Sequence, residues 1–105
     1  MNDYKNINVA ELQLLMAEKT ITLVDVRNEI EIMQGFIQGA EKLPLNLIPL
    51  RLSELDSSLP TVFYCRVGAR SAQAATFAAT QGFSETYNLK GGILAWLQEG
   101  MPLVK

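Results

Sequence analysis

Three short runs of strand-forming residues, at 21–26, 61–65 and 85–89, each give way to a stretch with turn or helix signals. That alternation limits the fold more than any other feature of the chain. The first run is almost continuously apolar and ends in Asp25, the pattern of a strand buried on both faces of a parallel sheet. The second, Thr61-Val62-Phe63-Tyr64-Cys65, is β-branched and aromatic. Parallel strands need crossovers, so the alternation predicts an α/β three-layer sandwich: a mostly parallel central sheet with helices on both faces. Ligands of such sheets bind beyond the carboxyl ends of the strands. Asp25 and Cys65 both stand at such ends, and right-handed crossovers place them on one edge.

Local signals fill in the remaining elements. Asn8 and Glu11 have the spacing of a capping box, with Val9, Leu12 and Met16 on one helical face behind it. Residues 29–33 read as one or two helical turns stopped near Gly35, and residues 39–45 hold a short strand closed by Pro44. Asn46 is placed to cap a helix over 47–55, with Pro49 in its first turn. A helix over 71–81 carries Ala74, Phe77 and Ala78 as its buried stripe, with Gly82 at C′. Gly91-Gly92 makes a turn before a last helix over 93–99, which ends at Gly100. With no linker, repeat or low-complexity stretch, the 105 residues are expected to form one domain, 1–105.

Composition narrows the chemistry. Apolar residues make up 49% and charged residues 19%, which is ordinary for a globular protein. A net charge of −2 argues against general nucleic-acid binding. The chain has no histidine and a single cysteine. This rules out a His-ligated metal, any Cys-His or Ser-His pair, and an internal disulfide. The polar stretch from Met1 to Ala10 lacks the apolar region of a signal peptide, and no apolar run suffices to span a bilayer. A free thiol without export signals points to a reducing cytoplasm.

The candidate site is the segment Cys65-Arg66-Val67-Gly68-Ala69-Arg70-Ser71, between a strand and a helix. A sulfur held at a helix N-terminus faces unpaired backbone N–H groups and the positive end of the dipole. A loop curled around it adds further amides, and Gly68 permits the curl. Arg66 and Arg70 add positive charge, so the Cys65 pKa is expected to fall. The plainer alternative is that Cys65 is a small buried hydrophobe and the arginines are solvated surface charges.

The stretch from Tyr64 to Ala75 resembles the active-site loop of rhodanese domains. The resemblance continues through Gly82-Phe83, Asn88-Leu89-Lys90-Gly91-Gly92, Ala95-Trp96 and Gly100-Met101-Pro102. In the first half, Leu23-Val24-Asp25-Val26-Arg27 resembles the family's first core strand. Gly35-Phe36-Ile37-Gln38-Gly39-Ala40 resembles its Gly-His-Ile-Pro-Gly-Ala segment, with Phe36 in place of the usual His and Gln38 in place of the frequent Pro. The resemblance implies a sulfurtransferase in which Cys65 is the nucleophile and persulfide carrier. The amides of Arg66, Val67, Gly68, Ala69, Arg70 and Ser71 would hold the terminal sulfur. The side chains of Arg66 and Arg70 would attract an anionic donor such as thiosulfate. Arg27 would line the pocket or form a structural ion pair, and Asp25 would orient loop groups. The acceptor would be cyanide, a small thiol or a protein thiol, and neither metal nor organic cofactor is implied. Trp96, Gly91 and Gly92 are read as core and turn residues.

Three rival readings remain at this level. One is a non-catalytic binding module, usual where the Cys is replaced. Another is a redox-sensing thiol, which would lack a resolving cysteine. The third is a phosphatase, whose Cys-(x)5-Arg loop is missed by one residue between Cys65 and Arg70.

Overall fold

The computed structural model describes residues 3–105; the first two positions of the polar N-terminal stretch lie outside it. Five strands form one sheet in the order β1-β5-β4-β2-β3, and every pairing is parallel. They are β1 (Lys5–Ile7), β2 (Thr22–Asp25), β3 (Glu41–Lys42), β4 (Thr61–Tyr64) and β5 (Thr86–Leu89). The helices are α1 (Val9–Glu18), α2 (Glu29–Met33), α3 (Ile48–Arg51), α4 (Ala69–Thr80) and α5 (Gly92–Gln98).

Strand side chains alternate between the two faces. Val24, Phe63 and Cys65 pack with Ala74, Ala75 and Ala78 of α4 and with Ile48 and Leu52 around α3. Leu23, Val62, Tyr64 and Leu89 pack with Val9 and Leu12 of α1 and with Ile93 and Trp96 of α5. The sheet is therefore covered on both sides. The four buried alanines of α4 (Ala74, Ala75, Ala78 and Ala79) present a smooth surface to it, which lets the helix sit close beneath β4.

Several sequence expectations need correction. The N-terminal stretch contains β1, an edge strand paired with β5 in the register Ile7↔Leu89. Its residues are mostly exposed, so no apolar run announces it. The capping box of Asn8 and Glu11 is present, but Leu15 rather than Met16 continues the buried face, and Met16 is exposed. Asn46 makes no capping bond. The helix expected over 47–55 is three short pieces: a 3₁₀ turn Leu45–Leu47 entered at Pro44, α3, and a second 3₁₀ turn Leu52–Glu54. Pro49 fits only the first turn of a helix, which explains why α3 restarts beside it. The helix after Cys65 begins at Ala69, two residues earlier than the alanine pattern suggested, and Phe77 is half-buried at the margin of its stripe.

Candidate active site

Strands β2 and β4 are neighbours in the register Asp25↔Tyr64, so Asp25 and Cys65 come together at the carboxyl edge. Cys65 directly follows β4, with its side chain turned toward the α4 face. The chain then curls through Arg66, Val67 and Gly68 into α4. Gly68 is the N-cap at φ 111°, a left-handed conformation that a side chain would resist. That curl points three donors at the sulfur. The Gly68 N–H donates at 3.1 Å, the Ser71 N–H at 3.4 Å and the Ser71 hydroxyl at 3.2 Å. Burial pushes the Cys65 thiol up. The Ser71 hydroxyl and the amides of Ser71, Gly68 and Val67 more than offset it, so the net shift is downward. Cys65 itself is 1% exposed, whereas Arg66, Val67 and Ala69 around it are exposed.

The other expected site residues fall into distinct roles. Asp25 is fully buried. Its Oδ1 accepts the Arg27 backbone N–H at 2.9 Å, and its two oxygens take the Arg27 guanidinium at 2.8–3.1 Å. Arg27 also donates to the Gly35 carbonyl at 2.7 Å and lies over the Tyr64 ring. Its guanidinium is thus committed to holding the loop after β2 against the sheet. Arg70 reaches α2 instead, with Nη1 and Nη2 at 2.7 and 2.9 Å from the two oxygens of Glu31. Of these three arginines only Arg66 has a guanidinium without a hydrogen-bond or ion-pair partner among the described residues.

Three contributors were not assigned to the site by sequence reasoning, although Gly92 was read as a turn residue and Asn88 lies in a quoted motif. Asn88 of β5 lies beside the loop because β5 is the next strand over from β4. Its Oδ1 accepts from the Ser71 hydroxyl at 2.5 Å, and its Nδ2 donates to the Gly68 carbonyl and to Asn6 of β1. Ser71 has one hydroxyl proton and two acceptors within reach, Asn88 Oδ1 and Cys65 Sγ. Glu31 is the second, as the partner of Arg70. Gly92 is the third. It lies against the carbonyls of Cys65 and Arg66, which accept the N–H groups of Ile93 and Leu94 at 2.9 and 3.2 Å. Drawing those carbonyls toward α5 leaves the amides of the loop free to face the sulfur. Phe36, in the position of the family's usual His, pairs its backbone with Val104 and packs under Lys42.

A parallel α/β sheet thus presents a lone cysteine to N–H and O–H donors that favour the charged form of its sulfur. Comparison with known proteins gives the family. The model of the rhodanese-like domain matches residues 8–99, and the chain belongs to this family. A protein of Allochromatium vinosum named sulfurtransferase is 46% identical over 92 residues, covering 88% of this chain and 86% of the relative. The thiosulfate sulfurtransferase GlpE of Shewanella oneidensis is 31% identical over 96 residues, covering 91% of this chain and 95% of that one. A rhodanese-related protein from Thermoplasma volcanium superposes with a TM-score of 0.88 at 30% identity, covering 96% and 98% of the two chains.

Proposed function

We propose that the protein is a cytoplasmic sulfurtransferase that carries sulfane sulfur as a persulfide on Cys65. The observation that supports this most is the set of three donors on Sγ, from Gly68 and Ser71, at the N-terminus of α4. They stabilise a thiolate without a histidine or a metal. In the reaction, the Cys65 thiolate attacks the outer sulfur of thiosulfate. The S–S bond of the donor breaks, sulfite leaves, and the persulfide keeps the negative charge. A thiophilic acceptor, cyanide or a small or protein thiol, then takes the outer sulfur and restores the thiolate. This is covalent catalysis in two displacements. Membership of the family and relatives named sulfurtransferase support the general reaction. The name of the Shewanella relative favours thiosulfate as donor. Among the described residues no helix is long and apolar enough to cross a membrane.

Intact mass spectrometry tests the reading directly. Incubation with thiosulfate is expected to add the mass of one sulfur atom, and cyanide to remove it. Cys65→Ser is expected to fold and to gain nothing. A protein that never loads sulfur from any donor, or a Cys65→Ser variant with full transfer activity, sinks the proposal in favour of a non-catalytic binding module.

A further inference from the structure

Glu31 belongs to α2, yet both of its oxygens reach across to α4. They receive Arg70 Nη1 and Nη2 at 2.7 and 2.9 Å, and Oε1 also takes the Asn28 N–H at 3.2 Å in the capping box of α2. The carboxylate is therefore fixed by its own helix before it meets the arginine. A bidentate Arg–carboxylate pair occupies the face of the guanidinium that would otherwise clamp an oxyanion. Arg70 is the second residue of α4, immediately before Ser71, whose N–H reaches the sulfur. Its pKa is raised first by the Glu31 hydrogen bonds and further by the charges of Glu31, Cys65 and Asp25. The Arg70 hydrogen bonds in turn hold the Glu31 carboxyl down at about 2. The pair is thus charged on both sides at any working pH. Arg27 is likewise neutralised by Asp25.

We propose that Glu31 is a specificity-determining residue. It withholds the Arg70 guanidinium from incoming donors and leaves Arg66 as the arginine at the loop without a partner among the described residues, so that singly charged sulfane donors load Cys65 as readily as doubly charged thiosulfate. This rests on the sulfur-transfer reading. The two donor classes react in the same way. Thiosulfate gives the Cys65 persulfide and sulfite. A thiosulfonate, R–SO₂–S⁻, gives the same persulfide and a sulfinate, with one negative charge fewer on the donor and on its leaving group. No proton or electron is gained or lost in either case. A site with two free cations would favour the dianion strongly, whereas a site with one free cation would not.

The test compares thiosulfate with methanethiosulfonate as donors. In the wild-type protein the KM values are expected to agree within about threefold. A KM for thiosulfate tenfold or more below that of the monoanion overturns the proposal, and this arm needs no variant. Glu31→Gln keeps a side chain that completes the capping box and removes the charge. It is expected to lower the KM for thiosulfate by about 3–10-fold, with kcat within about twofold and the monoanion KM little changed. The double variant Glu31→Gln/Arg70→Ala is expected to lose that gain. Glu29→Gln changes the net charge equally without touching Arg70, and is expected to leave the donor ranking as it was. An unchanged or higher thiosulfate KM in folded Glu31→Gln, or the same gain from Glu29→Gln, overturns the role of Glu31 alone. Failure of every donor to load Cys65 overturns the parent reading as well.

Discussion

Gly92→Ala tests how the sulfur loop is held. A Cβ built on Gly92 would stand 2.4 Å from the Arg66 carbonyl oxygen, 2.5 Å from that of Cys65 and 2.6 Å from the Arg66 carbonyl carbon. These distances are about 1 Å short of ordinary contact, and all three atoms are backbone. The loop and the start of α5 must separate, which breaks the bonds from Ile93 N–H to Cys65 and from Leu94 N–H to Arg66. Two such bonds contribute about 2 kcal/mol net. Placing alanine at φ +59° adds about 1 kcal/mol of left-handed strain. The total of about 3 kcal/mol predicts a fall in Tm of roughly 10–20 °C for a domain of this size. Gly82→Ala is the control. Its φ is +92° but nothing lies within 4 Å of the new Cβ, so only strain of about 1–2 kcal/mol is expected. Thermal unfolding by circular dichroism measures both. Alkylation of Cys65 by iodoacetamide, at a temperature where both variants are folded, measures the loop. Gly92→Ala is expected to slow the reaction severalfold at neutral pH and Gly82→Ala to leave it unchanged. Equal melting temperatures for the two variants, or a destabilised Gly92→Ala with normal Cys65 reactivity, would refute the argument that α5 orients the loop.

Other outcomes follow from the same geometry. Ser71→Ala removes the hydroxyl donor on Sγ and lets burial raise the Cys65 pKa, so the pH midpoint of alkylation should move up. The wild-type midpoint should lie below that of a free cysteine, because the Ser71 hydroxyl and the loop amides outweigh burial. The sign has a counterpart in stability. A folded-state pKa below the unfolded value gives a contribution that is full above the unfolded thiol pKa and fades as pH falls through the folded one; urea titrations on either side of pH 8 should register it. Arg66→Ala should raise the KM for thiosulfate a few-fold and flatten its dependence on ionic strength, because among the described residues Arg27 and Arg70 are paired with carboxylates and Arg66 is not. Unchanged kinetics across a salt series would make Arg66 a surface charge only. Aryl phosphate hydrolysis should be negligible beside sulfur transfer. Arg70, one position short of phosphatase spacing, is held by Glu31 and is not aimed at three equatorial oxygens. Cys65-dependent phosphate release at a comparable rate would overturn this.

Whatever depends on neighbours within about ten residues was legible in the chain itself. The buried runs of β2, β4 and β5, the capping box at Asn8 and the extent of α2 follow from period, cap and turn chemistry. So does the sulfur loop, because Cys65, Gly68 and Ser71 lie within seven consecutive residues and the loop closes on its own backbone. The chain also read an α/β fold, because alternating strands and helices leave few other ways to bury the strands.

Tertiary structure decided the groups that set the state of that loop. β1 exists by hydrogen bonding along β5, and its exposed residues carry no apolar pattern to announce it. Glu31 and Arg70 are 39 positions apart and meet only because α2 and the start of α4 follow adjacent strands on one edge. Arg70 therefore reads as a free cation from its own neighbourhood and becomes one half of an ion pair in the folded protein. Asn88 reaches Ser71 because β5 lies next to β4, and Gly92 reaches the Cys65 carbonyl for the same reason. Side-chain charge is written at each position, but its partner is fixed by strand order, which the crossovers set only once the whole sheet has formed.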